Sequence, residues 1–302
     1  MARTSTPRPA PGAPPEAPAR ARRQRVQAAS TGVAVLKALA RLGGRASLST
    51  LAGALAEHPA KVHRYLASFV EEGLVSQDPV TQQYYLGPEA ILIGVTAMRQ
   101  ADPVRIAEPA LVRLREQLGL TSFLAVMGNK GPTIVRFEEP VLPVTVNVRI
   151  GSVMALLWSA TGRMFLALRD DAEMLAQARA ELHAATPEQR AGLDPADPIG
   201  ALRRQVRALG IAVIRDIYLP GISAIAAPLY DASGAVCAVL TVLGASGGFD
   251  ATPDGRIAQA VRREAAACSA LLGFGAGTAS STTPGAPGND MGHALEPEGD
   301  LR

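Results

Sequence analysis

Cysteine is nearly missing from this 302-residue chain, which has only Cys237 and Cys268, each in an apolar stretch and without CxxC spacing, beside four scattered histidines. That excludes a disulfide framework and a Cys/His zinc cluster. No run approaches the ~20 apolar residues that a bilayer crossing requires. The N-terminus is Pro- and Arg-rich where a secretory signal would be apolar, so a soluble, cytoplasmic protein is expected. A GxSxG elbow, a phosphate-binding loop and a zinc motif are missing too. Asp170-Asp171 falls at a loop-to-helix start and Glu138-Glu139 at a turn, so neither makes a convincing acid/base pair. No catalysis, cofactor or metal site is expected.

Charge is present but unevenly placed. Residues 1–87 carry eleven Lys+Arg against five Asp+Glu, whereas residues 88–302 carry nineteen against twenty-two. The whole positive surplus sits at the front, which suits a polyanion-binding head on a near-neutral body. Residues 1–28 hold Pro7, Pro9, Pro11, Pro14, Pro15 and Pro18 among Ala and Arg. Such a composition buries too little apolar surface to offset chain entropy, so a disordered arm is expected, ending in Arg20, Arg22, Arg23 and Arg25. Residues 274–302, rich in Gly, Ser, Thr and Pro, are expected to be a disordered tail.

Between the tails the periodicity predicts an α+β protein with two folded units, residues 29–87 and 103–273, joined by a linker at 88–102. Val33, Leu36, Leu39 and Leu42 predict a first helix, capped by Ser30 or Thr31 and ended by Gly43-Gly44. A second follows Ser47 or Ser49 with Leu51 and Leu55 inward, and a third begins at Pro59, whose missing N–H is no loss in a first turn. In that third helix Val62, Leu66, Phe69 and Val70 share one face, leaving Ala60, His63, Arg64, Ala67 and Ser68 outside and Lys61 at the edge. Leu74–Gln77 and Gln83–Leu86 predict two strands around the turn Asp78-Pro79-Val80-Thr81. Helix, turn, helix and two-stranded wing is the order in which a winged helix-turn-helix offers one helix to the major groove of DNA.

Ile91, Leu92, Val95 and Met98 predict a linker helix over Pro88–Gln100. Beyond it, a helix to about Leu118 precedes strands at Ser122–Met127, Thr133–Phe137 and Val144–Val148. Helices are predicted near Ser159–Arg169, Ala172–Leu182 and Ile199–Leu209. Strands return at Ala212–Arg215, Ser223–Tyr230 and Val236–Leu243, before a last helix over Pro253–Leu272.

Over about residues 28–273 the chain resembles the IclR family of bacterial transcription regulators. The head carries Val62-His63-Arg64-Tyr65-Leu66, Glu72-Gly73-Leu74-Val75 and Tyr85-Leu86-Gly87. The body carries Arg149-Ile150-Gly151-Ser152, Ala160-Thr161-Gly162-Arg163, the run Pro220-Gly221-Ile222-Ser223-Ala224-Ile225-Ala226-Ala227-Pro228, and Asp231-Ala232-Ser233-Gly234. Each piece alone is weak; their order and spacing are specific. The resemblance implies a winged-helix head, a GAF-like effector-binding domain, homodimers that often pair into tetramers, and a small organic effector, frequently a carboxylic or aromatic acid. Two features depart from it. Ala60-Lys61 stands where the family usually carries a Ser-Thr pair, and the wing reads Gln82-Gln83-Tyr84-Tyr85 where it is usually basic.

The expected DNA-contacting residues are Lys61, His63, Arg64 and Ser68 of the third helix, together with Arg22, Arg23 and Arg25 of the arm, which in the other reading is only a solubilising tail. The expected effector site is the loop feeding a helix at Leu156, Trp158, Ser159 and Ala160, since a helix start offers free amides and a positive dipole to a carboxylate. The bland reading of Ser159 is a plain helix cap. From the resemblance, Asp216 and Thr241 join the site, with Ala224 and Leu243 making it apolar and Tyr218 a further wall. Two rival functions stay open at this point: a DNA-binding protein whose second domain only oligomerises, and an enzyme or sensor with a vestigial head.

Overall fold

The computed structural model describes residues 26–141 and 148–275. In the head, α1 (Gln27–Arg41) is followed by β1 (Arg45–Ala46), α2 (Leu48–Leu55), α3 (Pro59–Glu71), β2 (Val75–Gln77) and β3 (Tyr84–Leu86). The two wing strands pair antiparallel, and β1 adds to the other edge of β3, giving the order β1-β3-β2. Val35, Leu39, Leu51, Val62, Leu66 and Val75 form the buried core under these elements.

Four details differ from the sequence expectation. Helix α1 begins at Gln27, ahead of residue 29, so Ser30 and Thr31 lie inside it and cap nothing; Val26 holds the N-cap position. Its inward face is Val35, Ala38 and Leu39, while Val33 is 49% exposed. The helix is so rich in Ala and Val that several apolar stripes compete, and the one chosen sets Gly32 against the Phe69 and Tyr65 rings of α3. Val70 likewise stands 41% exposed, because α3 turns Val62 and Leu66 inward and only half buries Phe69. Finally, the strand expected at Val144–Val148 falls almost wholly outside the described residues, and Val148 itself is irregular.

The turn between α2 and α3 is sharp because Ala56 adopts the left-handed region, φ 51°, and donates its amide back to α2. Helix α4 (Pro88–Gln100) then runs without a single buried residue.

The body continues with α5 (Pro103–Leu118), β4 (Thr121–Gly128), β5 (Gly131–Glu138), α6 (Ala160–Leu168), α7 (Ala172–Ala184), the short α8 (Pro187–Ala191) and α9 (Pro198–Leu209). It closes with β6 (Ala212–Arg215), β7 (Ile222–Tyr230), β8 (Val236–Ala245) and α10 (Arg256–Leu271). The five strands form one antiparallel sheet in the order β5-β4-β8-β7-β6. In β4, Phe123 and Ala125 join the cluster beneath α6, whereas Leu124 between them joins the one beneath α5 and α10. The sheet is therefore covered on both faces, and its inner strand β7 is buried continuously from Ser223 to Leu229 instead of alternating.

Candidate DNA-reading surface and ligand cleft

Helix α3 owes its start to two features. Pro59 occupies the first turn, and the imidazole Nδ1 of His58 accepts the Ala60 amide at 3.2 Å. His58, Ala60, His63, Arg64, Ala67 and Ser68 are exposed, so this face is free to enter a groove. Ser68 donates its hydroxyl to the Arg64 carbonyl at 3.3 Å, and Arg64 itself has no side-chain partner among the described residues. Lys61 is placed otherwise. Its Nζ donates to Glu57 at 2.7 Å, drawing the charge back over the α2–α3 turn. Arg22, Arg23 and Arg25 lie outside the described residues. In the wing, Asp78 accepts the Val80 and Thr81 amides and pairs with Arg45 at 3.0 Å, while Arg45 also stacks over Tyr85. These bonds, led by the Thr81 and Val80 amides, hold the Asp78 carboxyl down at about 2.

In the body, a cleft of about 360 Å³ opens between the start of α6 and the sheet. Only about 20 Å³ of it accepts a water-sized sphere, room for roughly one water. Of the residues expected here, Ser159, Ala160, Ala224, Thr241 and Leu243 line it. The sequence reading overlooked Phe123 and Met154 as walls, which come from β4 and from the loop before α6. Tyr218, half-buried, also lines the cleft; burial, then the charge of Glu181, pushes its phenol upward, so it stays a hydrogen-bond donor.

Two groups of backbone amides meet different fates. Glu181 of α7 accepts the Leu156 and Leu157 amides, one on each carboxylate oxygen, at 2.8 and 2.9 Å. From the other side, the Arg163 guanidinium donates to the Leu157 carbonyl at 2.7 Å, and burial pushes it down to about 10. The loop before α6 is thus held on both sides. Ser159 caps α6 by accepting the Gly162 amide at 2.8 Å. The amides of Ala160 and Thr161, both buried residues on the cleft wall, have no partner among the described residues. Above them the Thr161 and Thr241 hydroxyls meet at 2.8 Å.

Three expected site residues are not on the cleft wall. Leu156 is fully buried in the core, its amide spent on Glu181, and Trp158 is buried beside it. Asp216 accepts the Gly221 amide at 2.9 Å and the Ser246 hydroxyl at 2.7 Å, and so ties the β6–β7 turn to the end of β8. That turn holds Asp216 at φ 55°. Among the described residues, no basic side chain lines the cleft.

No helix of the described residues is long and apolar enough to cross a membrane. The body matches the model of the family described as "Bacterial transcriptional regulator IclR C-terminal" over residues 95–270, and the head matches "IclR helix-turn-helix domain" over residues 28–79. HTH-type transcriptional regulator BhcR of Paracoccus denitrificans is 29% identical over 198 residues, covering 66% of this chain and 70% of that protein. The Pca regulon regulatory protein of Pseudomonas putida is 31% identical over 185 residues, 61% of this chain and 62% of that one. Among solved structures, HmgR of Pseudomonas aeruginosa is 39% identical, superposes with a TM-score of 0.75, and is matched over 99% of its length by 83% of this chain. These families and relatives are regulators of transcription, not enzymes. With its helix-turn-helix, its α+β body and both family models matched in order, the chain belongs to the IclR family of DNA-binding transcriptional regulators.

Proposed function

We propose that DNA binding by this regulator is modulated by a small organic acid held in the α6 cleft. The observation that carries the reading is the pair of unpartnered amides at Ala160 and Thr161. Buried N–H groups without an acceptor are rare and costly, and these two sit at the positive end of a helix. A carboxylate fits them in charge and in hydrogen bonding, with no salt bridge needed. The Thr161 and Thr241 hydroxyls and the Tyr218 phenol supply further polar partners, while Phe123, Met154 and Leu243 give an apolar bed for a ring.

The cleft's small free volume makes this a mechanism as well as a site. Any organic acid is far larger than one water, so binding selects a wider cleft, and a ligand shifts an equilibrium only by preferring one state. We place the units at 26–87 for the head, since α1 begins at Gln27, 88–102 for the linker, and 103–273 for the effector-binding, oligomerising domain, with the arm at 1–25 and the tail at 274–302. Two heads of a homodimer then read a palindromic operator through His63, Arg64 and Ser68, with Arg22, Arg23 and Arg25 on the phosphate backbone. Helix α4 exposes Ile91, Leu92 and Met98 at 59–63% each and Val95 at 40% on one face, and this apolar side is the surface a second linker covers in the dimer.

The same small volume also favours a second reading, in which the body only oligomerises. A thermal-shift screen of aromatic and aliphatic carboxylates against their uncharged amides separates the two. An acid-specific rise in melting temperature supports the effector site. Flat curves across the panel leave oligomerisation as the body's role.

A further inference from the structure

We infer that His58 is a DNA-contacting residue as well as the cap of the reading helix, through the ring nitrogen that the cap leaves free. The bond from the Ala60 amide ends on Nδ1, and a nitrogen that accepts a hydrogen bond carries no proton of its own. The neutral ring therefore has its proton on Nε2. That N–H is the only donor of the ring, and on the exposed His58 it has no partner among the described residues.

Position gives the donor its target. A helix-turn-helix enters the major groove with the N-terminal residues of its second helix nearest the base edges, and His58 is the first residue of α3's cap, ahead of Ala60. Its neighbours there do not compete for the contact. Pro59 has no N–H, Ala60 has no polar side-chain atom and spends its amide on the His58 ring, while the Lys61 ammonium is engaged by Glu57 at 2.7 Å. The next exposed polar groups on the helix are His63 and Arg64, at least one full turn further in. His58 thus holds the leading donor of the reading helix. Its hydrogen bond to the backbone fixes the ring's tautomer and restrains its direction before DNA arrives, the preorganisation that lowers the cost of a contact. A neutral N–H donor suits a guanine O6 or N7, an adenine N7 or a phosphate oxygen.

The cap and the contact are separable. Serine and asparagine cap helices at least as well as histidine, but neither places a donor where Nε2 lies. The test uses full-length protein and a duplex enriched by the wild-type chain from a randomised pool. His58→Ser and His58→Asn are expected to keep the wild-type melting temperature and to bind that duplex about five- to tenfold more weakly, the weight of one neutral hydrogen bond. His58→Ala is expected to lose both. Repeating the enrichment with His58→Ser distinguishes the acceptor: relaxed preference at one base pair marks a base edge, and an unchanged preference with uniformly weaker binding marks a phosphate. Wild-type affinity in both cap-retaining variants overturns the inference. So does an affinity loss that follows the loss of melting temperature across all three variants, which is the behaviour of a cap alone.

Discussion

Thr161 and Thr241 share one hydrogen bond, 2.8 Å long and fully enclosed, that fastens the first turn of α6 to the middle of β8. Among the described residues, each hydroxyl is satisfied only by the other. Thr161→Val or Thr241→Val alone strands a buried hydroxyl and is expected to cost about 1–3 kcal/mol in urea unfolding. The double variant removes both groups and is expected to cost less than the two singles together, a coupling that a double-mutant cycle measures directly.

The two amides held by Glu181 give a second prediction. Leu156 and Leu157 are completely buried, so replacing Glu181 with Ala leaves two N–H groups without an acceptor. The expected loss is about 2–4 kcal/mol, with hydrogen exchange rising at those two amides ahead of the neighbouring core. Equal protection in wild type and variant counts against Glu181 as the clamp of this loop.

Helix limits were legible where punctuation was strong. Pro88 and Pro103 stand at first turns, and Gly119 ends α5 in the left-handed region, so both helices matched their expected bounds. Which face of an Ala/Val-rich helix turns inward was not legible, because Val33 and Val35 are equal until α3 presents Phe69 and Tyr65. Ser159 and Thr241 reached the cleft as expected, one as a cap and the other as an inward residue of a buried strand. Asp216 did not, and the reason is register. Its partner Ser246 is thirty residues away and becomes a neighbour only when β7 pairs with β8. Glu181 was missed for the same kind of reason, since nothing local marks an acid on α7 as the acceptor for a loop before α6.

The wing carries an acid sensitivity of known sign. The Asp78 carboxyl is held at about 2 against an ordinary 3.8, first by the Thr81 and Val80 amides and then by Arg45. Because the folded value is the lower one, the stabilisation is complete above the ordinary value and disappears as pH falls from about 4 toward 2. Asp78→Asn is expected to flatten the acid limb of the stability curve in that window and to lower stability at neutral pH, where the charged acceptor and its Arg45 partner contact are lost. An identical acid limb in the variant would remove Asp78 from this role.

Gly162 sits where α6 presses on the loop that precedes it. A Cβ there would overlap the Ala155 carbonyl oxygen and lie 2.6 Å from the Leu156 Cα, both backbone atoms with little freedom to yield. Gly162→Ala is therefore expected to be strongly destabilising, by about 1–3 kcal/mol or more for an overpacked site. Gly53→Ala, where nothing lies within 4 Å, is the control and should hold or gain stability. Comparable melting temperatures for the two variants would refute the close approach.

Arg64 and the basic arm separate two kinds of DNA affinity. Arg64 is exposed and has no side-chain partner among the described residues, so Arg64→Ala should leave the melting temperature in place. If it reads a base edge, the variant loses about 1–3 kcal/mol of binding to the preferred duplex and much less to random DNA. Deleting residues 1–25 removes six arginines and one glutamate. That truncation should weaken preferred and random duplexes alike and flatten the salt dependence, each lost phosphate contact lowering the slope by about 0.9. Binding titrations at several salt concentrations resolve both effects at once. A truncated chain with wild-type affinity and slope makes the arm a bystander, and an Arg64→Ala chain that weakens both duplexes equally moves Arg64 from the bases to the phosphates.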